Sequence, residues 1–134
     1  MGVRLIKYGS HKADVAFVRS LAERKSWINA KIKRQFGYRT WPDLVMRKPD
    51  GSQVAVEVER VVKSKSHYAV KLVHLLDGVK QRQWDLVLYL APDERRRKRI
   101  EAAYRRVKRV NIGSGWRPAD LSALVFDTYM GHWQ

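Results

Sequence analysis

The stretch Trp41-Pro42-Asp43-Leu44-Val45-Met46-Arg47-Lys48-Pro49-Asp50-Gly51-Ser52-Gln53-Val54-Ala55-Val56-Glu57-Val58-Glu59 decides how this chain folds. It contains two apolar runs, Leu44 to Lys48 and Gln53 to Glu59, separated by Pro49-Asp50-Gly51. Proline suits the first corner of a tight turn, and glycine suits the left-handed position that closes a three-residue hairpin loop. Pairing Lys48 with Ser52 sets the register and puts Asp43 opposite Glu57. Side chains alternate along a strand, so Asp43, Val45, Arg47, Ala55, Glu57 and Glu59 share one face. Leu44, Met46, Val54, Val56 and Val58 share the other, an apolar face that must pack on helices.

Like charges opposed across a strand pair are destabilising. Asp43 against Glu57, with Glu59 two residues along, therefore asks for a cation between them. An Arg or Lys of the chain meets that need, and so does a hard divalent cation such as Mg²⁺, which takes carboxylate oxygens. The plainer alternative is a solvated hairpin face on which acids are unremarkable. Arg60, Lys63, Lys65, His67, Tyr68 and Lys71 follow at once. Lys63 or Lys65 folding back toward the acids would stabilise charge growing on a phosphate.

Outward from the hairpin the apolar period changes to that of helices. Val15, Val18, Leu21 and Ala22 predict a helix from His11 to Arg24, capped by Ser10. A second short helix is expected from Trp27 to Gln35, ending at Gly37, and an edge strand over residues 2–9. Tyr68, Val70, Leu72, Val73, Leu75 and Leu76 predict a helix over 64–80, opening at Ser64 or Ser66. Trp84 to Ala91 is almost continuously apolar, as in a strand covered on both faces. Pro92-Asp93-Glu94 opens a helix that runs to about Lys108. Val110 to Ile112 and Leu121 to Phe126 read as short strands around a Gly-Ser-Gly loop. This order predicts one α/β domain over 1–134, with a mixed sheet flanked by helices and a βαβ crossover built on the second hairpin strand.

The chain has 134 residues, with 28 Lys+Arg against 13 Asp+Glu, a net charge of +15. Such an excess attracts polyanions, nucleic acid first. The absence of cysteine excludes a disulfide framework, thiolate zinc sites and a cysteine nucleophile. The N-terminal Met1 to Lys7 has no long apolar run and no small-residue cleavage site, and no segment reaches membrane-spanning length, so a cytoplasmic protein without membrane contact is expected. Arg95, Arg96, Arg97, Lys98 and Arg99, with Arg105, Arg106, Lys108 and Arg109, make one helix strongly basic. Its apolar stripe of Ile100, Ala103, Tyr104 and Val107 packs inward, leaving a cationic face for phosphates. Lys31, Lys33, Arg34 and Arg39 form a second basic patch. Trp27, Trp41 and Trp84 fit the core, whereas Trp116 and Trp133 lie in less regular segments where base stacking, packing and dimer contacts all remain open.

Trp41-Pro42-Asp43, followed after 13 residues by Glu57-Val58-Glu59, resembles the PD-(D/E)XK nuclease superfamily, the restriction-endonuclease-like fold. Together with Lys63-Ser64, Tyr68 and the run from Trp84 to Pro92, the stretch is most similar to the nuclease-like domain of plasmid and integrative-element replication–relaxation and mobilisation proteins. The resemblance covers about residues 11–105. It implies a helix-strand-strand-helix-strand-helix core and a metal-dependent DNA endonuclease or nicking protein of a prokaryotic mobile element or phage. Asp43 and Glu57 would bind Mg²⁺ or Mn²⁺, with the Val58 carbonyl as a further ligand. Glu59 stands where most members have Lys, and Lys63 would supply the missing charge. Lys31, Lys33, Arg34, Arg39, Lys65, Tyr68, Lys71, Arg95, Arg96 and Arg99 are the expected DNA contacts, and a homodimer is an expected partner state. Many members carry a further Glu on the first core helix, but the aligned position, after Trp27, reads Ile28-Asn29-Ala30. A DNA-binding accessory protein that keeps the fold without the chemistry is the competing expectation.

Overall fold

The computed structural model describes residues 11–31, 42–131 and 133. Helix α1 (His11–Arg24) buries Val18, Leu21 and Ala22 along one stripe. It stops where Ser26 takes a left-handed φ of 66° and the Trp27 amide returns to the Ala22 carbonyl at 3.0 Å, a closure common at helix ends. That turn corrects the helix expected over 27–35. The chain reverses, and Ile28–Asn29 becomes strand β1, paired antiparallel with β2 (Leu44–Arg47). The free edge of β2 takes these two residues as a partner, which outweighs their helical spacing. Residues 32–35 of the expected helix, and the strand expected over 2–9, lie outside the described residues.

Strand β3 (Gln53–Val58) pairs with β2 in the expected register, Leu44 with Val56 through Arg47 with Gln53. The loop closes through the Gly51 amide on the Lys48 carbonyl at 2.9 Å, with Gly51 at φ 91°. Helix α2 (Lys65–Lys80) starts at an Ser64 N-cap, whose hydroxyl accepts from the His67 amide. Strand β4 (Leu86–Ala91) lies parallel to β3. Helix α3 (Glu94–Arg105), N-capped by Asp93, ends earlier than the expected Lys108. A small ribbon of β5 (Arg109–Asn111) and β6 (Trp116–Pro118) follows, separate from the main sheet. Strand β7 (Leu124–Thr128) then joins β4 in parallel. The fold is a mixed five-stranded sheet of order β1-β2-β3-β4-β7 with helices on both faces.

The two crossovers, β3-α2-β4 and β4-α3-β7, advance in the same direction across the sheet. Crossovers of one hand that advance together lay their helices on one face. There Tyr68, Leu72 and Leu75 of α2 and Ile100 and Tyr104 of α3 pack over Ala55, Val87 and Tyr89. The opposite face, with Leu44, Met46, Val54, Val56 and Val58, packs on α1. The hairpin face that carries the acids is therefore covered by helices and is not the solvated surface of the plainer reading. The carboxyl ends of β3 and β4 share one edge of the sheet, and α2 and α3 begin just beyond it. The start of α1 reaches the same edge, where His11 Nε2 lies 3.1 Å from the Val58 carbonyl. Among the described residues no helix is long and apolar enough to cross a membrane.

Trp84 anchors the end of α2, with its indole N–H donating to the Leu75 carbonyl at 2.9 Å. Its ring lies so close to Gly78 that an added Cβ would meet it at 1.8 Å. Gly78 therefore sits inside a helix for lack of space. Replacing a helical Gly by Ala ordinarily stabilises by up to about 1 kcal/mol. Here Gly78→Ala should instead lower stability by about 1–3 kcal/mol through overpacking. Urea midpoints for the variant and the parent check this, and a gain in the variant would contradict the packing described.

Candidate functional site

Asp43 and Glu57 meet as the register requires, at the end of the β2–β3 hairpin. The Asp43 amide donates to Glu57 Oε2 at 3.0 Å, and the Val58 amide donates to Asp43 Oδ2 at 2.8 Å. Each acid thus holds the other's strand, and the two carboxylates are fixed side by side. Glu57 is 3% exposed. Its Oε1 faces Lys71 Nζ at 2.7 Å. Lys71, on the second turn of α2, belongs to the buried stripe of Tyr68, Leu72 and Leu75 and is itself 9% exposed.

The cation beside the acids is therefore Lys71, and neither Lys63 nor Lys65 folds onto Glu57. Lys71 and Tyr68, both expected at DNA, are corrected in the same way, because both side chains point into the protein. Tyr68 is fully buried and its hydroxyl donates to Glu59 Oε2 at 2.6 Å, while accepting from the Lys63 amide at 3.0 Å. The Lys63 ammonium donates to the Val61 carbonyl at 3.3 Å, and Lys65 is exposed at the start of α2.

Helix α1 adds two residues that sequence reasoning left aside. His11 Nε2 stands 3.1 Å from Asp43 Oδ2 and 3.1 Å from the Val58 carbonyl. Asp14, 9% exposed, accepts from two of the three Arg60 guanidinium nitrogens, Nε at 3.0 Å and Nη2 at 2.6 Å. The aligned position after Trp27 holds no acid, and Asp14 on the preceding helix lines the same cavity as Asp43 and Glu57. A signal existed for both Asp14 and Lys71. Each falls in step with a buried apolar stripe, Asp14 with Val18, Leu21 and Ala22, Lys71 with Tyr68, Leu72 and Leu75. A charge at such a position must have a buried partner.

One cavity of about 390 Å³ is lined by His11, Asp14, Asp43, Glu57 and Glu59 together with Arg60, Lys63, His67 and Lys71. Burial raises the Glu57 carboxyl to about 8, with Lys71 pulling it down and Asp43 pushing it up. Burial also raises Glu59, against the pull of the Tyr68 hydroxyl and of Lys63. Burial, then Lys71 and Lys63, lower the His67 imidazole.

Among the described residues no three His, Asp or Glu side chains converge to hold a metal ion as they stand. The donor chemistry still fits a hard divalent cation. Asp43, Glu57 and the Val58 carbonyl offer oxygen, the donor such ions take. His11 Nε2 already touches two of those three groups, and Lys71 Nζ the other.

Of the remaining expected DNA contacts, Arg95 and Arg99 are exposed on α3, near the same edge of the sheet, and Arg96 pairs with Asp93. Lys31 is exposed beyond β1, and Lys33, Arg34 and Arg39 lie outside the described residues. Compared with protein-family models, curated proteins and solved structures, the chain gives no match.

The Glu57–Lys71 pair makes stability depend on pH. The folded carboxyl binds its proton more tightly than the unfolded one, so stability falls as pH rises from the ordinary carboxylate range toward 8. Lys71 limits that fall by stabilising the ionised form. Lys71→Met should therefore cost about 3 kcal/mol where Glu57 is ionised, as breaking a buried pair does. The loss should be smaller at about pH 6 than at about pH 9. Equal losses in urea titrations at both values would show that the pair does not carry charge.

Proposed function

We propose that the protein is a metal-dependent phosphodiesterase acting on DNA, with a restriction-endonuclease-like core of the PD-(D/E)XK kind. One observation carries this reading. Asp43, Glu57 and the Val58 carbonyl converge at the end of a buried strand pair, inside a cavity that Arg60, Lys63 and Lys71 also line. A surface built only to hold phosphate has no use for acids at its centre, since they repel it.

Asp43, Glu57 and the Val58 carbonyl would hold the divalent ion, Mg²⁺ or Mn²⁺. Such an ion supplies a hydroxide-like water and neutralises charge at a phosphate. Lys71 fixes Glu57 Oε1 and favours the ionised form of a carboxyl whose proton affinity burial raises. Glu59 has Oε2 tied to Tyr68, and burial raises its proton affinity, so it suits the acceptance of a proton from an attacking water. Lys63, on the cavity wall, can meet a phosphate oxygen. Arg95 and Arg99, on the exposed stripe of α3 beyond β4, would hold the backbone to one side of the cut.

A second reading has an observation of its own. Lys71 and His11 already engage the oxygens that a metal would take, so the acids are partly neutralised from within. That arrangement suits a DNA-binding accessory protein that retains the fold without the chemistry.

Nicking of supercoiled plasmid separates the two. The parent should nick with Mg²⁺ or Mn²⁺ and not with EDTA. Asp43→Asn and Glu57→Gln should abolish nicking while DNA binding in EDTA stays within about twofold, since neither change removes a cation. Retarded but uncut plasmid in every metal, over a panel of sequences, would establish the binding reading instead.

A further inference from the structure

The β5–β6 ribbon is left aside by the carboxylate cavity and has a surface of its own. Val110, 4% exposed, anchors it to the core beneath α2 and α3. Asn111 and Trp116 pair across the ribbon, as do Arg109 and Pro118. Cross-strand partners share a face, so Trp116 lies on the face turned away from Val110. Trp116 is 56% exposed, and the Arg117 guanidinium meets it at the backbone, donating to its carbonyl at 3.2 Å. A tryptophan set in the open on a two-stranded ribbon adds nothing to the core.

The surroundings are cationic. Arg106, Lys108, Arg109 and Arg117 are exposed, and none has a carboxylate partner among the described residues. The acids of α3 are taken up by Arg97 and Arg105. Asp120, also close in sequence, accepts from the Ser122 amide. Along α3 the exposed positions Arg95, Arg99, Ala102 and Arg106 recur at helical spacing and form one stripe. This stripe runs from the edge that carries the acids to the ribbon. A helix of 12 residues spans about 18 Å, or about five nucleotides of a stacked strand.

We infer that the ribbon is a stacking platform for an unpaired nucleotide strand, with Trp116 taking a base face and the α3 stripe tracking the phosphates. Bases within a duplex are stacked on one another and offer no face to a lone ring, whereas an unpaired strand does. The inference rests on the nucleic-acid reading above and narrows it to substrates with a single-stranded segment. Catalysis is not required for it.

The test is a cycle of two changes, read by fluorescence anisotropy in EDTA with the full chain. Labelled oligothymidylate and an abasic strand of equal length are titrated with the parent, Trp116→Ala and Trp116→Phe. Loss of one stacked base should weaken binding of the thymidylate by about tenfold. Trp116→Phe should recover most of that loss. On the abasic strand Trp116→Ala should bind as the parent does. The double variant R99Q/R106Q should flatten the salt dependence of both strands by about 1.4 in logarithmic slope, while Trp116→Ala leaves it unchanged.

Equal losses on both strands, or none on either, would overturn the stacking role. Tighter binding of an equal-length duplex than of the thymidylate would overturn the choice of substrate. An RNA strand in the same series decides which sugar is preferred. Because no metal is present, failure here leaves the plasmid-nicking result untouched, and failure of nicking leaves this result standing.

Discussion

A carboxylate at the end of a buried strand has to be matched by charge, and the pairing of Glu57 with Lys71 meets that demand. Transferring an ionised carboxylate out of water without a partner costs several kcal/mol. Lys71 reaches Glu57 because α2 crosses over the same face of the sheet that β3 presents with Ala55 and Glu57. The crossover, the helix register and the hairpin register must all agree for the ammonium to arrive at 2.7 Å. The adjoining contacts follow from the same geometry. Tyr68, one turn before Lys71, reaches Glu59, and Asp43 closes on the backbone between the two glutamates.

The second organising feature is the shared edge of the sheet. Parallel strands joined by crossovers of one hand bring strand carboxyl ends and helix starts together, which is where ligand sites form in open α/β sheets. Here β3 and β4 deliver Glu57, Glu59 and Asp93, and the start of α1 arrives from the other face with His11 and Asp14. Acids and cations therefore alternate within a small volume on a chain whose net charge is +15. The Asp14–Arg60 and Glu57–Lys71 pairs let an acidic centre persist beneath a cationic surface. The α3 stripe and the ribbon extend that surface away from the centre.

The chain by itself determined the elements whose cause is local. The His11–Arg24 helix, the hairpin about Gly51, the openings of the helices near Ser64 and Pro92 and the buried strand near 86–91 all follow from spacing, turn chemistry and helix-start signals. The opposition of Asp43 and Glu57 was legible too, because a three-residue loop leaves one register. Tertiary structure decided what depends on neighbours distant in sequence. Ile28 and Asn29 became a strand because β2 had an open edge, despite their helical spacing. Lys71, and not Lys63, meets Glu57 because Lys71 lies on the face of α2 buried against the sheet, whereas Lys63 precedes the helix. Asp14 and His11 joined the site because α1 packs from the opposite face, a placement that no local pattern encodes. Local rules specify an element and its faces. Which faces meet is set by burying all the apolar stripes at once, and the charges carried on those stripes meet as a consequence.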